Sequence, residues 1–149
     1  MNYLALISKA GDNYSGWILD FEGAVMAAGK SLEDVTLRLA QGLVSYAEEL
    51  GDLPVPRAQD LSGEDTSELK DAQAVWIEPA SQNPVSLELA RAMTAQGLSG
   101  AEVARRMGLP RQVVSRMINP FYWGHSVSSL RRFAEAVGGT LEVRVEVAA

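Results

Sequence analysis

A short segment of this sequence, LPRQVVSRMI at residues 109 to 118, combines the side chain types that bind the edges of base pairs. If the segment forms a helix, its apolar residues Val114 and Met117 turn inward and its polar residues share the outer face. Those polar residues are Arg111, Gln112, Ser115 and Arg116. Arginine can bind guanine O6 and N7 as a fork, glutamine can bind adenine N6 and N7 in the same way, and serine suits phosphate or base. The segment therefore indicates a helix that binds nucleic acid.

The residues around this segment meet the spacing that two closely crossing helices require. Such a pair needs a small residue in the first helix, a residue that tolerates the left-handed conformation in the turn, and a branched apolar residue where the helices meet. Ala104, Gly108 and Val114 supply these three. The spacing predicts a helix-turn-helix whose second helix runs from about residue 110 to residue 118. The alternative is a solvated surface on an ordinary helical domain.

The two halves of the chain carry opposite net charges. Residues 1 to 79 hold 5 Lys and Arg against 14 Asp and Glu, a net charge of -9, whereas residues 80 to 149 hold 8 against 5, a net charge of +3. From Arg105 through Arg132 there are six arginines and no carboxylate. This asymmetry indicates separate roles, with the basic half a candidate for nucleic-acid binding. Within that half, Arg105 and Arg106 are interpreted as clamps on the DNA backbone or as plain surface.

The first half, residues 1 to 79, predicts a small α+β domain with the element order β-β-β-α-β. Apolar, β-branched and aromatic runs predict strands at residues 3 to 8, 14 to 21, 24 to 29 and 72 to 79. Ser31 and Asp34 form a capping pair, after which apolar residues recur at three- and four-residue spacing as far as Gly51. This pattern predicts one long amphipathic helix. An acidic, proline-containing stretch at residues 51 to 71 is the expected connector.

The second half, residues 80 to 149, predicts an all-α domain followed by one strand. Its four short helices are expected to open at Pro84, Ser99, Pro110 and Ser126. The tail TLEVRVEV, residues 140 to 147, alternates apolar residues with charged ones as a half-buried strand does. A lone strand leaves its backbone N–H and C=O groups unpaired. We therefore expect a homodimer, or a higher oligomer, through this strand, and the alternative is pairing with the sheet of the first half.

The composition excludes several classes of chemistry and of location. The chain contains no cysteine, which rules out disulfides, thiolate metal sites and cysteine nucleophiles. The N-terminus lacks a basic leader followed by a long apolar run, and no stretch approaches the roughly 18 apolar residues that a membrane helix needs. These features predict a soluble, cytoplasmic protein with no membrane partner, and nothing in the sequence calls for a cofactor.

Two carboxylates and one histidine are the remaining candidates for chemistry. Asp20 and Glu22 lie two residues apart on one side of a strand end, as carboxylates that bind a divalent ion can. The favoured interpretation is polar decoration of a turn, so no metal site and no enzyme is expected. His125 lies in the loop NPFYWGHS without metal-ligating companions. It is expected to pack or to form a hydrogen bond, with contact to a phosphate as the alternative.

The aromatic residues are expected to be structural. Residues 121 to 123, which precede His125, should anchor their loop to the core, and stacking on a ligand is the alternative. Trp17 and Trp76 lie on predicted strands and are expected in the core.

The segment LSGAEVARRMGLPRQVVSRMINP resembles the helix-turn-helix of the phage repressor (XRE/Cro) family. That family has a Leu-Thr-Gln-Glu opening, a small residue, a Gly turn and a recognition helix that ends at Asn. Arg111, Gln112 and Arg116 match its base-contacting positions. Asn119 matches the terminal Asn, whereas Gly100 replaces the family's frequent Gln. The resemblance implies that the second half binds operator DNA.

The first half is similar to a different family, the HicB antitoxins. The matching stretches are YLALIS, DNYSGWILDFEGAVMAAGKSLEDV and LPVP, although the bend DFEG at residues 20 to 23 lacks the family's proline. The resemblance implies a partial RNase H-like fold that neutralises a small, basic, RNA-cleaving HicA-like toxin. An RNase H active site needs an acid in the first strand, which residues 3 to 8 lack. The acidic charge of the first half suits a basic nuclease, but no toxin-binding residue can be named from spacing.

The alternative function is a transcriptional regulator of the XRE family whose first half binds a small ligand. No convergent set of polar residues in the sequence indicates a pocket for one. A neighbouring reading frame for a short basic protein would distinguish the antitoxin from the regulator.

Overall fold

A computed structural model describes residues 1–148, and the chain divides after Ala80 into two compact units. The first unit is a four-stranded antiparallel sheet with one long helix. Its strands are β1 (Tyr3–Ala10), β2 (Asn13–Ile18), β3 (Met26–Gly29) and β4 (Lys70–Ile77), in the sheet order β3-β2-β1-β4. The helix α1 covers Leu32–Leu50, so the predicted order β-β-β-α-β is confirmed.

The strand boundaries differ most from the sequence prediction between residues 18 and 26. β2 ends at Ile18, where the chain turns through a 3-10 helix at Leu19–Phe21 instead of continuing as a strand to residue 21. Glu22 follows this turn with a φ of 46°, in the left-handed region. The turn brings the chain back to form β3 only from Met26. One chain reversal, made of the 3-10 helix and the turn after it, therefore occupies residues for which the apolar pattern predicted strand.

α1 begins and ends as its sequence predicts and covers one face of the sheet. The Ser31 side chain accepts a hydrogen bond from the Asp34 N–H at 3.0 Å, and Gly51 closes the helix in the left-handed conformation with a φ of 90°. Its buried stripe of Val35, Leu39 and Leu43 packs against alternate residues of β1. These β1 residues are Tyr3, Ala5 and Ile7. Each fully buried Val or Leu side chain contributes roughly 1.5–3 kcal/mol relative to exposure.

The two tryptophans lie on the opposite face of this sheet. Trp76 is paired with Leu4 and Trp17 with Leu6, and paired residues of antiparallel strands point to the same side. Both leucines are buried, whereas Trp17 is half-buried and the edge-strand residue Trp76 is 51% exposed. The expectation that Trp76 belongs to the core is wrong, because the alternation of β4 directs its side chain away from α1.

The second unit contains four helices around one small core. They are α2 (Pro84–Ala95), α3 (Gly100–Met107), α4 (Arg111–Met117) and α5 (Val127–Ala136). The side chains of Asn83, Ser99 and Ser126 cap α2, α3 and α5, where each accepts a hydrogen bond from a backbone N–H of the first turn. The core residues with the least exposure come from α3, α4 and α5, and include Val103, Ala104, Val114, Met117 and Phe133.

The predicted C-terminal strand is not formed in the single chain. Residues 139–148 follow α5 without belonging to a helix or strand. A strand requires a neighbour whose N–H and C=O groups pair with its own, and all four strands of the sheet come from the first unit. Within residues 1–148, no helix combines the length and the apolarity that crossing a bilayer takes.

Candidate nucleic-acid interface

α3 and α4 are joined by a tight turn that depends on one glycine. Gly108 adopts φ 67° and ψ 34°, and its N–H is directed at the carbonyls of Ala104 and Arg105. The next N–H, from Leu109, donates to the Ala104 carbonyl at 3.0 Å. This left-handed closure satisfies the end of α3, and Pro110 starts α4 with its fixed φ of -60°. A residue with a Cβ at position 108 would be strained in this conformation.

The crossing of the two helices is held by small and branched side chains. Ala104 is 3% exposed and Val114 is fully buried. A Cβ placed on Gly100 would lie 3.9 Å from Cγ1 of Val114, which is ordinary van der Waals contact. The three residues that the spacing argument singled out are therefore located at the turn and at the packed side of the pair.

The outer face of α4 carries the polar side chains of the opening segment. Arg111, Gln112, Ser115 and Arg116 are all exposed, while Val114 and Met117 are buried beneath them. Within residues 1–148 no hydrogen bond or ion pair engages the side chains of Arg111, Gln112 or Ser115. Arg116 has one ordered contact, because its Cζ lies 5.7 Å from the centre of the Tyr122 ring. We call these four residues the α4 surface.

The arginines of α3 differ from those of the α4 surface because they already have partners. Arg105 forms an ion pair with Glu102, and Arg106 forms a second one with the same carboxylate at 3.3 Å. Arg106 also donates to the Ala136 carbonyl at 3.0 Å, at the end of α5. The Arg105 side chain is 74% exposed, and an exposed pair of this kind is weak enough to open for another anion.

A third arginine completes a reciprocal link between α3 and α5. Arg132 of α5 donates to the Met107 carbonyl at 2.6 Å, at the end of α3. Arg106 of α3 makes the converse contact with the Ala136 carbonyl. The terminal carbonyl of each helix therefore accepts a hydrogen bond from an arginine of the other helix. The charge pattern in the sequence does not indicate this role for Arg106 and Arg132, since it does not distinguish a guanidinium that faces a carbonyl from one that faces solvent.

His125 connects the end of α4 to the beginning of α2. Its Nε2 lies 2.7 Å from the Met117 carbonyl, and its Nδ1 lies 3.3 Å from the Asn83 amide nitrogen. A carbonyl oxygen only accepts, so Nε2 carries the proton and Nδ1 accepts from Asn83. The Ser86 hydroxyl lies 3.1 Å from Nε2. The interpretation of His125 as a hydrogen-bonded residue is confirmed.

Asn83 is a supporting residue that sequence analysis did not identify. Its side chain oxygen accepts from the Val85 N–H at 3.0 Å, and its amide nitrogen donates to the Tyr122 carbonyl at 3.0 Å as well as to His125. The signal was present, because Asn followed by Pro is a frequent helix start. What the sequence could not reveal is that this cap also reaches the loop after α4.

The aromatic loop anchors to the protein only in part. Tyr122 packs edge-on against the His125 ring at 4.8 Å, and its hydroxyl donates to the Gly124 carbonyl at 3.0 Å. Phe121 is half-buried. Trp123 is 60% exposed, so the expectation that residues 121 to 123 all anchor the loop is wrong for this residue.

The carboxylates of Asp20 and Glu22 have different surroundings and do not form a shared site. Asp20 accepts backbone hydrogen bonds from Arg57 at 3.2 Å and from Ala58 at 2.9 Å, and so holds the connector against the end of β2. Glu22 is exposed at the left-handed turn. Within residues 1–148, no three His, Asp or Glu side chains lie close enough together to hold a metal ion.

A buried tyrosine also holds this connector. The Tyr3 hydroxyl donates to the Pro54 carbonyl. Burial raises the pKa of Tyr3, and the nearby carboxylates of Asp20 and Asp52 raise it further. The hydroxyl therefore keeps the proton that this hydrogen bond requires.

Comparison with known proteins gives a limited result. No protein-family model and no curated protein sequence matches this chain. Two solved structures are similar to part of it, the N-terminal domain of Burkholderia pseudomallei antitoxin HicB at 15% sequence identity and a HicA3 and HicB3 toxin-antitoxin complex at 19%. Each match covers 52% of this chain and 96% of the solved chain, with a TM-score of 0.40. That TM-score is too low to transfer a function to this chain.

Proposed function

We propose that this protein is a HicB-type antitoxin with two separate activities. Its first domain, residues 1 to 79, binds and neutralises a small HicA-like toxin that cleaves RNA. Its second domain, residues 80 to 149, is an XRE/Cro-like helix-turn-helix that binds operator DNA and represses the operon. On this proposal the protein acts in the cytoplasm, without a cofactor, and is not an enzyme.

The α4 surface is the observation that carries the DNA-binding half of the proposal. A seven-residue helix is about 10 Å long, and the major groove of DNA is about 12 Å wide. The exposed side chains of Arg111 and Gln112 have no partner within residues 1–148, so binding DNA would break no contact that the fold needs. Both can make bidentate contacts with bases, and Ser115 and Arg116 lie one turn further along.

Arg105 has a different proposed role at the same interface. Its guanidinium is exposed on α3, and in the part of the chain that the structure describes, residues 1–148, it is paired only with Glu102. A phosphate can replace that carboxylate at small cost, because exposed ion pairs contribute about 0–1 kcal/mol. Contacts with phosphate position a protein on DNA but do not distinguish sequences. We assign Arg105 to the backbone and the α4 surface to the bases.

The charge of the first domain supports the toxin-binding half of the proposal. Its net charge of -9 is opposite to that of a basic nuclease, and complementary charge speeds and orients association. The stretches that resemble HicB antitoxins also belong to this domain, in YLALIS and in the residues around its long helix. The toxin-binding residues themselves are not assigned.

A homodimer through residues 140 to 149 completes the proposed repressor. Helix-turn-helix proteins commonly bind as two-fold dimers whose half-sites lie about 34–36 Å apart. Residues 139–148 have no strand partner in the single chain, and a second copy offers the simplest one. If a protein that lacks residues 140 to 149 still sediments as a dimer, this part of the proposal fails.

The DNA-binding half is tested with the full chain and the duplex that lies upstream of its own reading frame. Fluorescence anisotropy at about 50 and about 200 mM salt gives both the affinity and its salt dependence. We expect the duplex to bind at least ~10³ times more tightly than a scrambled duplex of equal composition. Equal binding of the two duplexes would show that the protein has no operator in this region.

The toxin-binding half is tested with the product of an adjacent short, basic reading frame. The full chain should suppress RNA cleavage by that product as the molar ratio approaches equality. An unrelated protein of equal net charge is the control, because charge alone must not produce the effect. Undiminished cleavage would refute the neutralisation.

A further inference from the structure

The second unit has an apolar groove on its surface that the single chain leaves open. The groove encloses about 620 Å³ between α2, α5 and the residues that follow α5. Val85 and Val127 line it and are 38% and 53% exposed. Leu141 and Val143 form part of its wall. Contiguous exposed apolar surface of this kind marks a site for a partner.

The segment that borders the groove exposes a row of valines. Val143, Val145 and Val147 are 68%, 86% and 90% exposed, and all three share one face in any extended conformation. Glu142, Arg144 and Glu146 occupy the other face. A partner that supplies both hydrogen bonds and apolar cover would stabilise an unpaired backbone next to three exposed valines.

A second copy of the same segment can supply both, and the charges select how the copies pair. In an antiparallel pair about a two-fold axis, each residue faces a residue of the other copy on the same side. An axis that passes between two residues would place valines against charged residues. An axis at Arg144 would place Arg144 against itself and Glu142 against Glu146. Like charges directly opposite each other are destabilising.

An axis at Val143 places no valine against a charged residue and no like charges opposite each other. It places Glu142 opposite Arg144 twice, once for each copy, and Leu141 opposite Val145. It also places Val147 of the partner subunit opposite Gly139, which lines the groove. An axis at Val145 would also pair opposite charges, Arg144 with Glu146. However, it would move the partner's Val147 by four residues, roughly 13 Å, to a position opposite Val143.

We propose that two copies of this chain pair antiparallel through residues 140–146 with Val143 on the two-fold axis, so that the exposed valines of each copy cover the groove of the other. The proposal rests on the homodimer of the proposed function and adds its register and its apolar contact. Residues 140–146 of each copy become the paired strand that the sequence pattern predicts.

The chain has no cysteine, so single cysteine variants report the register directly. Val143→Cys should form a disulfide-linked dimer under mild oxidation, because the two Cβ atoms lie about 4.5–5.5 Å apart across the axis. The matched control is Val145→Cys, whose two thiols would be separated by four residues, roughly 13 Å. Cross-linking of Val145→Cys without that of Val143→Cys would overturn the proposed register.

Charge exchange provides an independent check of the same register. Glu142→Arg and Arg144→Glu should each weaken dimerisation roughly tenfold, because each places two like-charged pairs across the strands. The double variant restores opposite charges and should recover dimerisation. Rescue of Arg144→Glu by Glu146→Arg instead would indicate an axis at Val145.

Sedimentation of the unmodified chain tests the homodimer separately from its register. A monomer at micromolar concentration would overturn the homodimer itself and the register with it. A dimer that fails to cross-link through Val143→Cys would overturn the register and leave the homodimer in place. Unchanged far-ultraviolet circular dichroism spectra of the variants show that they remain folded, whereas weaker dimerisation by itself would lower their melting temperatures.

Discussion

Asp20 in the first unit and Arg111 in the second both mark places where the sequence suggested chemistry, and the structure surrounds them differently. The Asp20 carboxylate accepts two backbone N–H groups of the connector. Arg111 is exposed on α4, and no hydrogen bond or ion pair engages its side chain within residues 1–148. One charged group is therefore part of the fold, while the other is available to a ligand.

The same distinction divides the arginines of the second unit. Arg106 and Arg132 donate to the terminal carbonyls of α5 and α3, and they fix the angle between these helices. Arg111 and Arg116 extend from α4 into solvent. The basic charge of this unit thus includes both residues that support the fold and residues that the proposed function assigns to DNA.

The largest effect is expected from the α4 surface. Replacing Arg111 and Gln112 with Ala should weaken operator binding by about 1–3 kcal/mol for each bidentate contact that is lost. The melting temperature should not change, because neither side chain has a partner in the described fold. Anisotropy at one fixed salt concentration measures the operator affinity, and thermal unfolding measures the melting temperature.

The control is Arg131→Ala, which removes one positive charge from an exposed position on α5, as the α4 variant removes one from α4. If Arg131→Ala weakens operator binding as much as the replacement of Arg111 and Gln112 does, the loss of affinity comes from the lost positive charge alone.

A smaller effect is expected from His125, which acts through the fold. His125→Ala leaves the Met117 carbonyl without its hydrogen bond from the ring and removes one of the two hydrogen bonds that the Asn83 amide nitrogen donates, at a cost of about 1–3 kcal/mol in the free energy of unfolding. Urea unfolding followed by circular dichroism measures the loss. Operator binding should weaken with it, because Met117 ends α4. Trp123→Ala, in the same loop but 60% exposed, should leave stability unchanged. A stable His125→Ala protein would contradict the proposed network.

Asp20 should matter to the stability of the first unit and not to any catalysis. Asp20→Ala removes the acceptor for the Arg57 and Ala58 N–H groups, and the partly exposed site reduces the cost to about 1–2 kcal/mol. Glu22→Ala removes an exposed carboxylate and should change stability by less than about 0.5 kcal/mol. Operator binding should be the same in both variants. If Mg²⁺-dependent nuclease activity is found and is lost in both, the two carboxylates form a site after all.

The smallest expected effect is confined to two turns of the connector. Hydrogen bonds from Ser62 and Ser67 lower the pKa of Asp60 and of Asp65. A folded pKa below the unfolded one stabilises the fold above the unfolded pKa, and this contribution is lost as pH falls through the folded pKa. Ser62→Ala and Ser67→Ala should therefore raise the pKa of the neighbouring aspartate. NMR titration of the side chain carboxyl signals measures it. Both aspartates are fully exposed, so solvent screens these hydrogen bonds, and the accompanying change in the free energy of unfolding should be small.

Local patterns predicted the secondary structure well because its signals are local. The caps at Ser31, Ser99 and Ser126 were visible in sequence, and so was the left-handed turn at Gly108. The alternation that identified Trp76 as a strand residue was also correct. It could not specify which side of the sheet α1 would cover, and so Trp76 was assigned to the wrong face.

Partners that are distant in the chain account for most of what sequence analysis missed. Asp20 meets Arg57, and His125 meets Asn83, across 37 and 42 residues. No spacing rule connects such pairs, because the fold must exist before they meet. The C-terminal strand is a further case, since in the proposed homodimer the residues that pair with it belong to the other copy.

The central claim is that the α4 surface distinguishes base pairs and does not merely hold the DNA backbone. It is tested most directly by measuring the affinity of the unmodified chain and of Arg111→Ala for an operator in which each base pair is replaced in turn. We expect Arg111→Ala to lose discrimination at one G·C pair in each half-site and to keep it elsewhere. A uniform loss of affinity, with the same preference at every position, would contradict the claim and reduce Arg111 to a contact with phosphate.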